Sequence, residues 1–326
     1  SDIEGSALKG VKITEIYSLN SVIAKDSEGK LYTWGDNIWG LLGDGTRTNR
    51  YTPICISDQE GALKNKKIVN IDFIGYNTVI AKDSDGKLYA WGGDNDEEYI
   101  PICISDQEES ALKGVKITET YCGSQYYVFA KDVDGKLYTW GDYRDVLLDN
   151  GTTISRRMPI CISDQEGSVL KNKKIVDVYF GNNDNYVIKD SEGKLYTWGS
   201  NLCGQLGDGT TTDRDTPICI SDIEGSALKN KKIADIYFGS WSHHMMVRDE
   251  EGKLYTWGDN SYRQLGDGTT EDRSMPICIS DQEGNALKDK NIIEVIKADE
   301  VNKVVRLPAV SIVKDSNGKI YEWGYW

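Results

Sequence analysis

The chain has two histidines, His243 and His244, adjacent in the segment GSWSHHMM. An imidazole titrates near neutrality and offers a lone pair to a metal, so either ring could serve as a general base or a ligand. Neighbouring residues of a strand point to opposite faces, so the pair does not converge on one substrate or ion. Packing is the reading this favours. Carboxylates form a second pattern, Asp-x-Asp/Glu-Gly. It occurs as Asp83-Ser84-Asp85-Gly86 and Asp132-Val133-Asp134-Gly135, with Glu in Asp26-Ser27-Glu28-Gly29 and Asp190-Ser191-Glu192-Gly193, and with Asn in Asp315-Ser316-Asn317-Gly318. These segments resemble the opening of a calcium loop. None supplies the bidentate Glu at the twelfth position, and a hairpin turn with its glycine at positive φ accounts for the same residues. Of seven cysteines, Cys55, Cys103, Cys161, Cys219 and Cys278 occupy equivalent PICI segments. They stand too far apart on a repeat scaffold to pair. With Cys122 and Cys203 they are expected as thiols acting as small buried hydrophobes. No CxxC or Cys/His spacing suggests zinc. The nucleophile elbow, HExxH, the P-loop and the dinucleotide fingerprint are all missing from the sequence. The carboxylates fall mostly in repeated turns, so no glycosidase pair stands out. The sequence therefore predicts a protein that is not an enzyme, with no metal and no cofactor.

The elements that would position these residues follow from internal repetition. One segment recurs six times, giving copies at 1–56, 57–104, 105–162, 163–220, 221–279 and 280–326, the last cut short. In copy four, KIVDVYF sets Ile175, Asp177 and Tyr179 on one face against Val176, Val178 and Phe180 on the other. That period of two is a strand signal, where a helical solenoid would show 3.6. YVIKD, KLYTWG and PICI complete four short strands separated by Gly-rich turns. SALKNKK reads as a linker with one turn. The prediction is all-β: a β-propeller of four-stranded antiparallel blades, six repeats visible, in a single domain over 1–326.

Trp-Gly closes the third strand of every copy, at Trp34, Trp91, Trp140, Trp198, Trp257 and Trp323. Three copies continue into Leu-Gly-Asp-Gly-Thr, at 42–46, 206–210 and 265–269. This pattern resembles the regulator of chromosome condensation repeat along the whole chain. The resemblance implies a propeller. The founding member of that family has seven blades, exchanges nucleotide and binds chromatin. Here six copies are visible, and the exchange activity is not carried over. Copy two has GGDNDEEYIPICI in place of the loop, copy three has Leu148-Asp149-Asn150-Gly151-Thr152, and copy six carries an insertion around KADEVNKVVRLPAV and lacks PICI. The Ile-, Lys-, Asn- and Asp-rich, Pro-poor composition suggests a bacterial relative. Bacterial members of the class resemble secreted or cell-surface recognition proteins, and one similar propeller is a secreted β-lactamase inhibitor that uses aromatic loop residues. The expected setting is therefore secreted or cell-surface, with the cytoplasm as the alternative. The opening SDIEGSALKG repeats an internal segment, so the chain is expected to be a piece of a longer protein.

Two loops vary while the strands stay nearly constant, and a fixed scaffold with varied loops is what a binding surface needs. The loop between strands one and two offers Tyr76, Tyr126, Tyr127, Tyr186, Trp241 and His243. The loop after Trp-Gly offers Trp39, Tyr99, Tyr143 and Tyr262. Tyr and Trp supply rigid anchors and Asn and Ser adaptable hydrogen bonds, as in paratopes. Two other readings stay open: the first loop fills the channel near the axis, or the variation is drift.

The net charge is −14. An acidic surface repels phosphate backbones, and no Lys/Arg block offsets it, so no nucleic-acid partner is expected. No apolar run reaches the ~18 residues of a membrane span. The expected partner is a protein, host or bacterial. A carbohydrate-binding propeller, an enzyme inhibitor and a passive spacer are the alternatives.

Overall fold

A computed structural model describes residues 6–93, 99–122, 127–141, 146–147, 153–154, 158–181, 185–238, 243–296 and 310–324. The chain divides into two compact units, Ser1–Val146 with Thr153–Ser163, and Leu147–Thr152 with Asp164–Trp326. The first unit holds three antiparallel sheets. They comprise β1 (Ile13–Ser18), β2 (Ser21–Asp26), β3 (Leu31–Gly35) and β4 (Arg50–Cys55); then β5 (Ile68–Ile74), β6 (Thr78–Asp83), β7 (Leu88–Gly92) and β8 (Ile102–Cys103); then β9 (Ile117–Tyr121), β10 (Tyr127–Asp132) and β11 (Leu137–Gly141). After the short pair β12 (Val146–Leu147) and β13 (Thr153–Ile154), β14 (Ile160–Cys161) returns as the fourth strand beside β11. The second unit holds β15 (Ile175–Phe180), β16 (Asn185–Asp190), β17 (Leu195–Gly199) and β18 (Arg214–Cys219); β19 (Ile233–Phe238), β20 (His244–Asp249), β21 (Leu254–Gly258) and β22 (Arg273–Cys278); and β23 (Ile292–Ile296), β24 (Val310–Asp315) and β25 (Ile320–Gly324). Each copy thus folds as an up-and-down meander. Among the described residues the sheet of the sixth copy has three strands where those of the first five copies have four, and β12 and β13 pair as a separate two-stranded sheet.

The expected strands are present, with one correction. The alternation along the first strand is broken, because every first strand bulges one or two residues from its start, as between Ile175 and Asp177. The extra residue shifts the pleat by one. Ile175 and Val178 are consequently buried while Val176 is exposed. No α-helix occurs among the described residues, and the expected linker runs as turns, with Lys229 N–H donating to Ser226 O at 3.1 Å and Lys231 N–H to Leu228 O at 3.0 Å.

Successive sheets within a unit are tied face to face. The turn glycines Gly29, Gly86, Gly193 and Gly252 accept hydrogen bonds from Ile68, Ile117, Ile233 and Ile292 of the next sheet, at 3.0–3.1 Å. A methyl group on Gly29, which sits at φ +84°, would come within 2.7 Å of the Ile68 backbone, so only glycine satisfies both the turn and the approach. Lys25 and Lys189 reach across in the same sense, donating to Val69 O at 2.9 Å and Ala234 O at 2.8 Å. The core lies between the sheets, for example Leu195, Ile220, Leu228, Val247 and Trp257 in the second unit.

All seven cysteines are half-buried thiols, which corrects the expectation of buried ones. Cys103, Cys219 and Cys278 donate to Asp106, Asp222 and Asp281 at 3.3–3.4 Å. Burial first, then the carboxylate, pushes the Cys219 and Cys278 thiols up to about 11. They are therefore poor nucleophiles at neutral pH.

Candidate functional site

The repeated aspartates serve the hairpin between the second and third strands. Asp249 Oδ1 accepts from the backbone N–H of Glu251 at 3.0 Å and of Lys253 at 2.8 Å, and Oδ2 accepts from the Tyr255 hydroxyl at 2.8 Å. Asp26, Asp83, Asp132, Asp190 and Asp315 repeat the arrangement with tyrosines six residues on. The glycine of each turn sits at φ +79° to +84°. Both oxygens are committed to the turn, which leaves the calcium-loop resemblance without a ligand set. Among the described residues no group of three His, Cys, Asp or Glu could hold a metal ion. No helix among them is long and apolar enough to cross a membrane.

Antiparallel topology places both variable loops at the opposite end of each sheet from this turn. They touch there. Ser21 Oγ donates to Asp36 O at 2.7 Å in the first sheet, and Asp259 N–H donates to His243 O at 3.0 Å in the fifth. The loop after Trp-Gly has a fixed base. Asn201 is fully buried; its Nδ2 donates to Asp208 Oδ1 at 3.2 Å and its Oδ1 accepts from Leu206 N–H at 3.0 Å. Thr210 and Arg214 close the same Asp208 carboxylate. Burial alone would raise that carboxyl, but the Arg214 and Thr210 hydrogen bonds outweigh it and hold it below the usual range. Asn37 with Asp44 and Arg50, and Asn260 with Asp267 and Arg273, repeat the set.

The next sheet locks this base. Trp91 Nε1 donates to Leu41 O, Trp257 to Gln205 O and Trp323 to Gln264 O, each at 2.9 Å. Methyl groups on Gly43, Gly207 and Gly266 would meet those indoles at 2.7–3.0 Å. The Leu-Gly and Trp-Gly signatures are therefore two halves of one contact between sheets.

The loop tips at this end, beyond this base for Ile38, Leu202 and Tyr262 and between β5 and β6 for Tyr76, are apolar and open. Tyr76 is 65% exposed, Tyr262 53%, Ile38 56% and Leu202 77%. Tyr76 and Tyr262 were expected from the sequence. Ile38 and Leu202 are aliphatic and lie outside the aromatic pattern; their place four residues after Trp34 and Trp198 is the signal that finds them. Trp39 is half-buried against the core shared by the first two sheets. Tyr99 is also half-buried, with the Arg47 guanidinium 4.6 Å above its ring. Tyr127 lies on β10, half-buried, and His243 is half-buried just before β20. Tyr186 corrects the expectation of a surface ring: it is buried on β16, stacked 5.1 Å from Trp198 and edge-on to Phe180 at 5.9 Å. Tyr126, Tyr143 and Trp241 lie outside the described residues.

His244 is a core residue on β20. Burial pushes its imidazole down to about 4, opposed by the Asp259 carboxylate. The folded protein keeps the ring neutral where the unfolded chain binds a proton, near pH 6.5. Its contribution is complete above pH 6.5 and is lost as pH falls toward 4. Urea titrations are expected to show about 3 kcal/mol less stability at pH 4 than at pH 7 from this group. His244→Gln should flatten that part of the profile; an unchanged slope would place the acid sensitivity elsewhere.

Meanders of this kind, stacked face to face with their variable loops at one end, are the blades of a β-propeller repeat protein. The sequence profile of the Regulator of chromosome condensation (RCC1) repeat matches residues 28–78, 192–246 and 251–297, and a second profile of the same repeat matches 175–205 and 233–264. The chain belongs to this family. It is 27% identical over 292 residues to the E3 ubiquitin-protein ligase HERC2 of Homo sapiens, a match that covers 86% of the chain and 5% of the ligase. It is 29% identical over 285 residues to the Ultraviolet-B receptor UVR8 of Arabidopsis thaliana, covering 84% of the chain and 59% of the receptor. Among solved structures, Prp20p from Saccharomyces cerevisiae superposes with a TM-score of 0.53 at 19% identity, over 96% of this chain and 72% of that one. Human WBSCR16 does so with 0.53 at 17% identity, over 87% and 69%. These two likenesses establish the fold.

Proposed function

We propose that the protein is a non-catalytic recognition module that binds a partner protein through the loop ends of its blades. The observation that carries this reading is the pairing of exposed apolar tips, Ile38, Leu202 and Tyr262, with loop bases fixed by buried hydrogen bonds, together with Tyr76 exposed on the loop between β5 and β6. An apolar side chain held in place before binding loses little conformational entropy when a partner covers it, and such residues are the usual anchors of protein interfaces. The buried carboxamides Asn37, Asn201 and Asn260 are bonded within their own loops, so they are not offered to a sugar. That favours a protein over a glycan. Prp20p, whose structure is described together with its binding to Gsp1p and histones, is a propeller of the same fold used for protein recognition. Its partners are not transferred here. An enzyme blocked by these tips at its active-site rim, in a bacterial secreted or surface setting, is one form the partner takes under this proposal.

The test is affinity capture on the immobilised protein, read by mass spectrometry. The control is a variant with Ile38, Tyr76, Leu202 and Tyr262 all replaced by serine. A partner held by the original protein should be retained at least about 10-fold less by the variant, since each anchor is worth upward of ~1 kcal/mol. The two proteins should melt alike, because the tips lie outside the buried base. Equal retention would overturn the loop-end reading.

A further inference from the structure

We infer that the loop ends of the fourth and fifth sheets select a partner protein with a cationic face, and that Asp213 and Asp272 set this preference. The inference rests on the loop-end binding proposed for the blades and names the chemistry of the partner. Three observations carry it. The first is a pair of charges that the fold does not require. In the first sheet an asparagine closes the foot of the loop after Trp-Gly: Asn49 Oδ1 accepts from Asn37 N–H at 2.8 Å. In the fourth and fifth sheets aspartates take that place. Asp213 Oδ1 accepts from Asn201 N–H at 2.7 Å, and Asp272 Oδ1 from Asn260 N–H at 2.8 Å. A neutral carboxamide oxygen makes the same bond, so the negative charge is not needed for the loop's own structure. Both aspartates are exposed, and each is bonded within two residues of an exposed apolar tip, Leu202 or Tyr262.

The second observation is that charge is segregated between the two ends of these sheets. The loop segment 36–51 of the first sheet holds two carboxylates and two guanidiniums. The equivalent segment 200–215 holds three carboxylates and one guanidinium, and 259–274 holds four and two; neither contains a lysine. Arg214 and Arg273 are committed to the buried carboxylates of Asp208 and Asp267. Asp213, Asp215, Glu271 and Asp272 therefore stand exposed against a single exposed guanidinium in these two segments, that of Arg263. At the hairpin-turn end the charges are instead paired, as Lys194 with Asp222 and Lys253 with Asp281, both at 2.9 Å. The third observation is that the two loops are contiguous. Gly209 N–H donates to Ser274 O at 2.8 Å, and a methyl group on Gly204 would come within 2.6 Å of Ser274 Cα. The fourth sheet's loop thus abuts the segment that carries Glu271 and Asp272.

The occupant follows from this arrangement. It is a protein face on which lysines or arginines surround an apolar depression: the depression covers Leu202 and Tyr262, and the cations meet the carboxylates at their feet. Buried apolar anchors supply the affinity. The exposed carboxylates draw a cationic face in from a distance and repel an anionic one, so they supply speed and choice.

The probes are two capped peptides of equal length, one repeating Leu-Lys-Gly and the other Leu-Glu-Gly, titrated onto the whole chain and read by fluorescence anisotropy. At about 20 mM salt the lysine peptide should bind about 10-fold more tightly than the glutamate peptide, and raising the salt to about 200 mM should remove most of that difference. Bound lysine peptide should slow amide exchange within 200–215 and 259–274. Asp213→Asn together with Asp272→Asn should weaken the lysine peptide about 5-fold without moving the melting temperature, because Asn49 already makes the same bond. The same change of charge at the hairpin-turn end, Glu224→Gln with Glu251→Gln, should weaken it less than about 2-fold. Equal binding of the two peptides, lost on Leu202→Ser with Tyr262→Ser, overturns the charge preference and leaves loop-end binding standing. Lysine-peptide binding untouched by both the serine and the asparagine pairs overturns the two together. An equal loss from the hairpin-turn variant, or no binding of the lysine peptide at millimolar concentration, also overturns the charge preference.

Discussion

Trp257→Ala is expected to lower the stability of the second unit by about 3–5 kcal/mol, the range for deleting a fully buried large aromatic side chain. Trp257 is 0% exposed within a core that also holds Leu195, Leu228 and Val247. Removing the indole leaves a cavity and strands Gln205 O, which accepts from it across the gap between two sheets. Trp257→Phe should recover most of the packing and retain a penalty of about 1–2 kcal/mol for the carbonyl left without its donor. Urea unfolding followed by far-UV circular dichroism distinguishes the two. A loss below about 1 kcal/mol for the alanine variant would mean that the preceding loop does not depend on this indole.

Asp249→Ala is expected to cost about 3 kcal/mol, because one side chain satisfies three donors at a buried turn. Asp249 is almost completely buried, and its two oxygens accept from Glu251 N–H, Lys253 N–H and the Tyr255 hydroxyl. Asp249→Asn keeps the shape but turns one oxygen into a donor that faces a donor, so it should fall between alanine and the native residue. Tyr255→Phe removes a single bond and should cost about 1 kcal/mol. The same measurement after adding millimolar calcium should show no change, since the carboxylate is committed to the turn. A calcium-dependent rise in stability would restore the metal reading of these segments.

The fold was readable from the sequence because each copy repeats the same strand signals and the same Trp-Gly ending in register. The Leu-Gly half of that contact was also readable, since glycine beside a recurrent indole implies close approach. The bulge in the first strand was not. It is a property of pairing with β2, β6 and their counterparts, and a strand taken alone shows only its alternation. The candidate site was half legible. Tyr76 and Tyr262 lie on true tips, but Tyr186 closes a segment whose last residues already belong to β16, so the loop it was assigned to ends sooner than the variable residues suggest. Ile38 and Leu202 were hidden by a different assumption, that an anchor must be aromatic. Position relative to the fixed Asn of the loop base predicts exposure better than residue type.

The contacts made by the recurrent indoles run in one direction. Within the second unit, Trp323 leans on the loop before it and Trp257 on the loop before that. Each blade is thus a creditor of its predecessor and owes nothing of this kind to its successor. Fraying that begins at the last blade leaves every earlier indole seated, whereas damage to the loop at 201–210 unseats Trp257 downstream. A chain grown by copying a segment at its trailing end would add blades without disturbing those already placed, and an altered loop would show its damage one repeat later than the alteration.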